Sequence, residues 1–269
     1  MSKTISAAVN PALANNLVNK AMAEVPVQKE VKIIPPSDTS VTLPGGYITD
    51  AGEVVTTAEV RELNGTDEEA VSKANNVGKA VLTILNRGTV KIGNEKATEQ
   101  LLDRLLSCDR DMLLLSIFKV TFGKTADMSA LCTGCNEFKI VTVDIDEDIK
   151  IKVLTDPIND RLFTVQGKRN VFTVQLPTGK AQKEMILNSD KTAAELNTIM
   201  LENCVLKVDD SPVLSKLQVQ NLSIVDRKKI TEEINRRIVG PQFEEIKVTC
   251  PDCESEVTVP VNFGTLFRF

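Results

Sequence analysis

Residues 128–145, MSALCTGCNEFKIVTVDI, and residues 244–263, EEIKVTCPDCESEVTVPVNF, carry the same layout. In each, a strand-like run leads into Cys-x-x-Cys and a second strand-like run leaves it. A Cys-x-x-Cys at a strand turn is a knuckle: one tight turn supplies two sulfurs, and backbone N–H groups are at hand for the thiolates. Two knuckles supply four thiolates, the complete ligand set of tetrahedral zinc. The spacing therefore predicts one structural zinc ion per chain, held by Cys132, Cys135, Cys250 and Cys253. A site closed by four sulfurs leaves no coordination position for a substrate.

Residues 136–249 separate the pairs, a gap much longer than in a local zinc finger. The metal would tie mid-chain to C-terminus. Structural zinc contributes about 10–16 kcal/mol of apparent binding energy in small metal-dependent peptides, comparable with the whole stability of a domain. Other chemistries remain open for the same residues: thioredoxin-like thiol redox, an iron–sulfur cluster, or plain disulfides. The redox chemistry calls for a pair at the start of a helix, whereas both pairs here precede strands. Cys108 and Cys204 sit in apolar helical contexts and read as small buried hydrophobes.

Outward from the knuckles, the remaining text predicts an α+β fold. VTL (41–43), Pro44-Gly45-Gly46 and YIT (47–49), followed by a second run at 53–63, read as a hairpin with glycine turns. Thr66 and Glu69 have capping-box spacing and predict the start of a helix running toward Gly88. A further helix is expected near 97–107, with Leu101, Leu102, Leu105 and Leu106 on one face. Another should start after Asp109 as N-cap, and Met112 to Val120 are apolar nearly all round, the pattern of a helix buried on several sides. Residues 161–176 read as a hairpin turning near Gly167, and helices are expected over 190–204 and 223–238. A weak internal echo pairs VTLPGG…RELNGTDEEAV (41–71) with VQLPTG…MILNSDKTAAEL (174–196). The expected organisation is a flexible N-terminal arm at 1–38, with a short helix near 10–23; a hairpin-plus-helical region at 39–125; a zinc-ribbon-like β module from 126–150 with 241–269; and an inserted hairpin-plus-helical region at 151–240.

Composition narrows the function. The chain has no histidine, which removes Ser-His-Asp and Cys-His nucleophile pairs, imidazole ligands and imidazole bases. There is no Walker A loop, dinucleotide glycine fingerprint or G-x-S-x-G. The run Asp144–Asp148 lacks the Gly and spaced Glu of an EF-hand loop. Net charge is −5 and aromatic residues make up 4%, a poor basis for binding phosphate backbones or stacking bases. The cationic face Arg227, Lys228, Lys229, Arg236 and Arg237 is countered by Asp226, Glu232 and Glu233 and reads as solvated. No run of about 18 apolar residues predicts a membrane span. Residues 1–20 lack the apolar segment of a secretory signal, so a reducing compartment is expected.

The block LLSCDRDMLLLSIFKVTFG (105–123) followed by LCTGCNEFKIVTVDID (131–146) resembles the T4-type baseplate hub and hub-assembly family of contractile-tailed bacteriophages. The resemblance rests on Asp109-Arg110, Leu113–Leu115, Thr121-Phe122-Gly123 and the first cysteine pair. LPGGYITDAGEVV, VRELNGTDEEAV, LPTG, Asn203-Cys204-Val205-Leu206 and the terminal Cys-Pro-x-Cys extend it over 41–269. Some members carry Gly after a Cys-Pro-x-Cys knuckle; here Asn136 and Glu254 stand there, and Thr133 replaces Pro. Related proteins occur in phage-tail-like injection systems. The resemblance implies a non-enzymatic structural or assembly protein, in the host cytoplasm during assembly and in the virion tail baseplate. It would contact hub, tail tube or spike components through a zinc-stabilised scaffold, and would bind no nucleic acid, membrane or small-molecule substrate. The competing readings are a nucleic-acid-binding zinc ribbon and a Cys-x-x-Cys redox protein.

Overall fold

The computed structural model describes residue 15 and residues 39–268 apart from 244, 245 and 251. The expected arm at 1–38, with its short helix, lies outside the described residues except for Asn15. Over 40–237 one order of elements runs twice. In the first round, β1 (Ser40–Ile48) and β2 (Val54–Val60) form an antiparallel hairpin. They are followed by α1 (Gly65–Ser72), α2 (Val77–Gly88), the pair β3 (Thr89–Ile92) and β4 (Glu95–Lys96), then α3 (Glu99–Arg104) and α4 (Ser107–Phe122). A hairpin of β5 (Thr125–Cys132) and β6 (Glu137–Asp144), the short α5 (Ile145–Asp148) and β7 (Lys150–Lys152) lead onward.

The second round repeats the order with β8 (Leu162–Gln166), β9 (Val171–Gln175), α6 (Gly179–Leu187), α7 (Ala193–Cys204), β10 (Val205–Val208), β11 (Ser211–Pro212), α8 (Lys216–Gln220) and α9 (Ile224–Arg237). It closes with β12 (Gly240–Gln242) against β7, the hairpin β13 (Ile246–Thr249) and β14 (Glu256–Val259), and α10 (Phe263–Phe267). The sheets run β1-β2-β3-β4 and β8-β9-β10-β11, so each round builds the same antiparallel order. The result is an α+β fold with several small sheets, in which the two cysteine-bearing hairpins meet.

The likeness extends to backbone conformation. The turns after β3 and β10 place Gly93 and Asp209 at φ 56° and 51°, and Gly123 and Gly240 follow α4 and α9 at φ 93° and 94°. Internal repetition is thus present, but in a different register from the sequence echo. Val41 and Leu43 on β1 match Phe163 and Val165 on β8 as buried strand positions, whereas the echo set them against residues 174–176. The LPTG segment opens helix α6, which periodicity alone had not indicated.

α4 is buried on several sides, as its all-round apolar sequence predicts. Leu113, Leu114 and Ile117 enter the core of the first round. Leu115 and Phe118 enter the core beneath the cysteine hairpins, and Cys108 enters the core of the second round.

Several local expectations are corrected. Pro44-Gly45-Gly46 is no turn: β1 continues through it with a shift of register between Thr42 and Tyr47, and the chain reverses later, between Thr49 and Glu53. The first helix starts two residues earlier than expected. Asn64 is its N-cap, and the capping box pairs it with Asp67 rather than Thr66 with Glu69. Asp67 is buried because Arg61 and Arg87 bind it at 2.7 and 2.6 Å, and that pairing wins over the ordinary preference for an exposed acid. The helix also breaks between Ser72 and Val77, and the expected 97–107 helix spans only Glu99–Arg104.

Asp109 caps nothing. α4 begins at Ser107, and the Asp109 carboxylate reaches across the fold to accept the N–H groups of Gly45 at 2.6 Å and Gly46 at 3.3 Å. Arg161 binds the carbonyls of the same two glycines at 3.2 and 3.0 Å. The irregular stretch of β1 is thereby held from both sides. A Cβ on Gly45 would stand 2.6 Å from Leu106 Cδ1, so only glycine allows this approach. At the matching place in the second round, Asp226 accepts the N–H of Lys168 at 2.6 Å.

Burial pushes Asp109 up to about 6, against the pull of the two glycine N–H groups, and its Oδ2 has no hydrogen-bond partner. A carboxyl whose pKa is higher in the folded than in the unfolded chain adds stability in full below about pH 4 and loses it as pH rises through about 6. Asp109→Asn keeps an accepting oxygen without the charge. Between pH 4 and pH 7 the wild-type chain should therefore lose about 2–3 kcal/mol relative to this variant in urea titrations. Parallel pH profiles for the two proteins would contradict the assignment.

Candidate metal centre

Full-length pairing of β5 with β6, from Thr125 opposite Asp144 to Cys132 opposite Glu137, sets the first knuckle at the hairpin tip. β13 and β14 pair from Ile246 opposite Val259 to Thr249 opposite Glu256 and set the second. The two tips have one geometry. Asn136 N–H donates to Cys132 O at 2.8 Å, and Glu254 N–H donates to Cys250 O at 3.0 Å. Asn136 and Glu254 both adopt left-handed φ, 58° and 57°. The residue after the second cysteine must turn back sharply, which explains why glycine suits this place and why asparagine, the more tolerant of the two side chains, stands at one of them.

The structure brings all four sequence-predicted cysteines together. Their sulfurs lie within 4.8 Å of one another, and Cys132 Sγ is 3.5 Å from Cys253 Sγ. Four sulfurs around one zinc at ~2.3 Å would stand roughly 3.8 Å apart, inside this range. All six cysteines are free thiols, and 3.5 Å is far beyond a disulfide bond length of ~2.05 Å. Cys132 and Cys250 are buried, while Cys135 and Cys253 are half-buried at the rim.

Electrostatics favours a cation here. Burial and the neighbouring sulfurs push the Cys135 thiol up to about 12. Hydrogen bonding from Ser255 pulls Cys253 down to about 6. Four thiolates this close repel strongly unless a positive ion stands among them. The donor set and spacing fit a metal ion that takes four thiolates. Cys108 and Cys204 lie elsewhere, buried in the second-round core, and burial pushes the Cys204 thiol up to about 12. They take no part in the cluster.

Three further residues shape the site, and only one left a mark in the sequence. Gly134 sits where a Cβ would stand 2.2 Å from Ser255 Oγ and 2.9 Å from Cys253 Sγ, so the knuckles approach only because this residue is glycine. A glycine between paired cysteines was the legible signal. Ser255 closes the second knuckle by accepting the Cys250 N–H at 2.8 Å through its carbonyl. Lys139 bridges the two tips, with its ammonium 2.6 Å from Glu137 and in contact with Asp252. Both carboxylates hold the Lys139 pKa above its ordinary value.

Gly134→Ala should lower thermal stability by about 2 kcal/mol through the Ser255 clash, whereas Thr133→Ala should change little. Glu254→Gly relieves a left-handed non-glycine residue and should raise stability by about 1 kcal/mol. Equal melting temperatures for all three variants would show that the knuckles are not packed this closely.

The family described as T4 bacteriophage base plate protein matches residues 47–267. No curated protein and no solved structure matches the chain. The match takes in most of the first round, all of the second and both knuckles, and the chain belongs to the T4 bacteriophage base plate protein family.

Proposed function

We propose that this baseplate protein works in the hub region of a contractile tail as a non-enzymatic structural or assembly component, with its scaffold locked by one zinc ion on Cys132, Cys135, Cys250 and Cys253. The observation that carries the proposal is the closed set of four sulfurs within 4.8 Å, drawn from mid-chain and C-terminus. A four-thiolate zinc site offers no open position for substrate and contributes folding energy directly. The unit fixed by the metal is the ribbon of 126–150 with 241–269, and the two surrounding rounds present helix and sheet faces to hub, tube or spike subunits. Zinc is the ion favoured by four thiolates in tetrahedral array over hard cations that prefer oxygen.

The chemistry elsewhere agrees with contact rather than turnover. Arg61 and Arg87 hold the buried Asp67, and Oδ1 of Asp109 accepts the N–H groups of Gly45 and Gly46. On α9, Arg236 and Arg237 bind Glu233 at 2.6 and 2.5 Å. Arg227 binds the Val219 and Ala194 carbonyls and the Thr198 hydroxyl. Much of the cationic face that might have met a nucleic acid is thus engaged within the chain. Among the described residues, no helix is long and apolar enough to cross a membrane.

The purified chain should contain one zinc equivalent. Cys132→Ser and Cys250→Ser should each abolish binding, and chelation should lower the melting temperature by about ten degrees or more, on the order of several kcal/mol. Retention of metal by the double serine variant, or a melt indifferent to chelator, would remove the scaffold role. A defect in baseplate assembly caused by those same variants in infected cells would tie the site to the tail.

A further inference from the structure

The two rounds differ in the cover of one surface, which is present in the first and lacking in the second. In the first round the start of α6 lies across α3 and the beginning of α4. Gly179 N–H donates to Leu105 O at 2.7 Å, and Ser107 N–H donates to Pro177 O at 2.9 Å. Lys183 pairs with Glu99 at 2.5 Å and Asp103 at 2.9 Å, and Gln182 donates to Asp111 at 2.7 Å. The approach is so close that a Cβ on Gly179 would stand 2.3 Å from Leu102 O.

α8 and α9 are the second-round counterparts of α3 and α4, displaced by a constant 117 positions (216 − 99 and 224 − 107). α7 packs against them through Arg227 and Thr231, but among the described residues no segment covers Leu214, Leu217 and Ile224. Leu214, Leu217 and Ile224 are 82%, 64% and 85% exposed, an unusual cost for apolar side chains clustered along one short stretch of an acidic chain.

The element that would cover them also exists. α1 is the first-round counterpart of α6, displaced by 114 positions (179 − 65). Both helices open with a polar N-cap followed by glycine, Asn64-Gly65 and Thr178-Gly179. Yet around Gly65 a Cβ would meet nothing within 4 Å.

The charges of the Lys183–Glu99 pair recur with their signs exchanged. Where the covered surface has Glu99 and Asp111, the bare one has Lys216 and Lys228. Where α6 brings Lys183 and Gln182, α1 has Glu69 and Glu68. Glu68, Glu69, Lys216 and Lys228 are all exposed. An acidic helix start and a basic, apolar cradle are thus carried by the same chain.

We propose that the α8–α9 surface of one copy receives the N-terminal turn of α1 from a second copy, in a head-to-tail contact that repeats between chains the α6 contact seen within the chain. Glu69 pairs with Lys216 and Glu68 with Lys228, and the α1 start covers Leu217 and Ile224. Such a heterologous contact leaves one free surface at each end, so it closes into a ring or extends as a filament. The contact follows from the repeated fold and holds whatever ion the cysteines bind.

Sedimentation velocity on the full-length chain over a range of concentrations tests it. We expect self-association that weakens as salt is raised. Glu69→Lys and Lys216→Glu should each weaken it about tenfold, and the two together should restore it by exchanging the pair. Gly65→Gln places a side chain in open space at an unstrained position, so it should abolish association with an unchanged melting temperature. A wild-type chain that stays monomeric to ~100 μM, where a ~1 μM contact would be saturated, overturns the proposal. So does association that ignores Gly65→Gln, or single charge variants that the paired exchange fails to rescue.

Discussion

Four sulfurs held within 4.8 Å of one another impose the constraint on which this architecture turns. Thiolates at that spacing repel, and the backbone that carries them comes from two hairpins separated by an entire structural round. The hairpins also pack on each other: Val143, Val257 and Val259 are fully or nearly fully buried in one core with Leu115 and Phe118 of α4. The sulfur cluster is therefore built on top of an apolar core that extends to the central helix. A cation at the tips would join what the core beneath has brought near, and its removal would leave charge repulsion acting against that core.

The repeated element order gives this arrangement a simple logic. Each round consists of a hairpin, two helices, a second hairpin and two further helices, and each is followed by one knuckle. Neither knuckle can satisfy a tetrahedral ion alone; two supply the full set. α4 and α9 occupy corresponding positions, and each ends before a left-handed glycine, Gly123 or Gly240. Each also has an aspartate in its first turn that reaches the first hairpin of its own round, Asp109 to Gly45 and Gly46, and Asp226 to Lys168. The rounds differ where they meet: the first accepts α6, and the second has no such cover among the described residues.

The parts legible in the sequence were those governed by local chemistry. Cys-x-x-Cys between alternating strand residues fixed the knuckles, and the all-round apolar run 112–120 identified the buried helix α4. Gly167 marked the turn region of the β8–β9 hairpin. Features decided by long-range contacts were misread. Asp109 has the type and place of an N-cap, but its partners Gly45 and Gly46 lie more than sixty positions away, and no local pattern points to them. Pro44-Gly45-Gly46 has turn composition, yet the packing of Gly45 against Leu106 keeps it within a strand. Asp67 was overlooked as a capping residue because its two arginine partners, Arg61 and Arg87, come from either side of the helix it caps. Lys139 is one lysine among many until the fold sets it between Glu137 and Asp252. The repetition was visible as an echo, but Leu-Pro-x-Gly, the most conspicuous shared word, serves a strand in one round and a helix start in the other.

X-ray absorption at the metal edge of the purified protein is the decisive measurement for the four-sulfur centre. The expected spectrum is that of zinc with a single shell of four sulfurs at ~2.3 Å and no nitrogen or oxygen ligand. A mixed shell, a cluster containing more than one metal, or protein that is fully folded without metal would contradict a scaffold locked by one thiolate-bound ion.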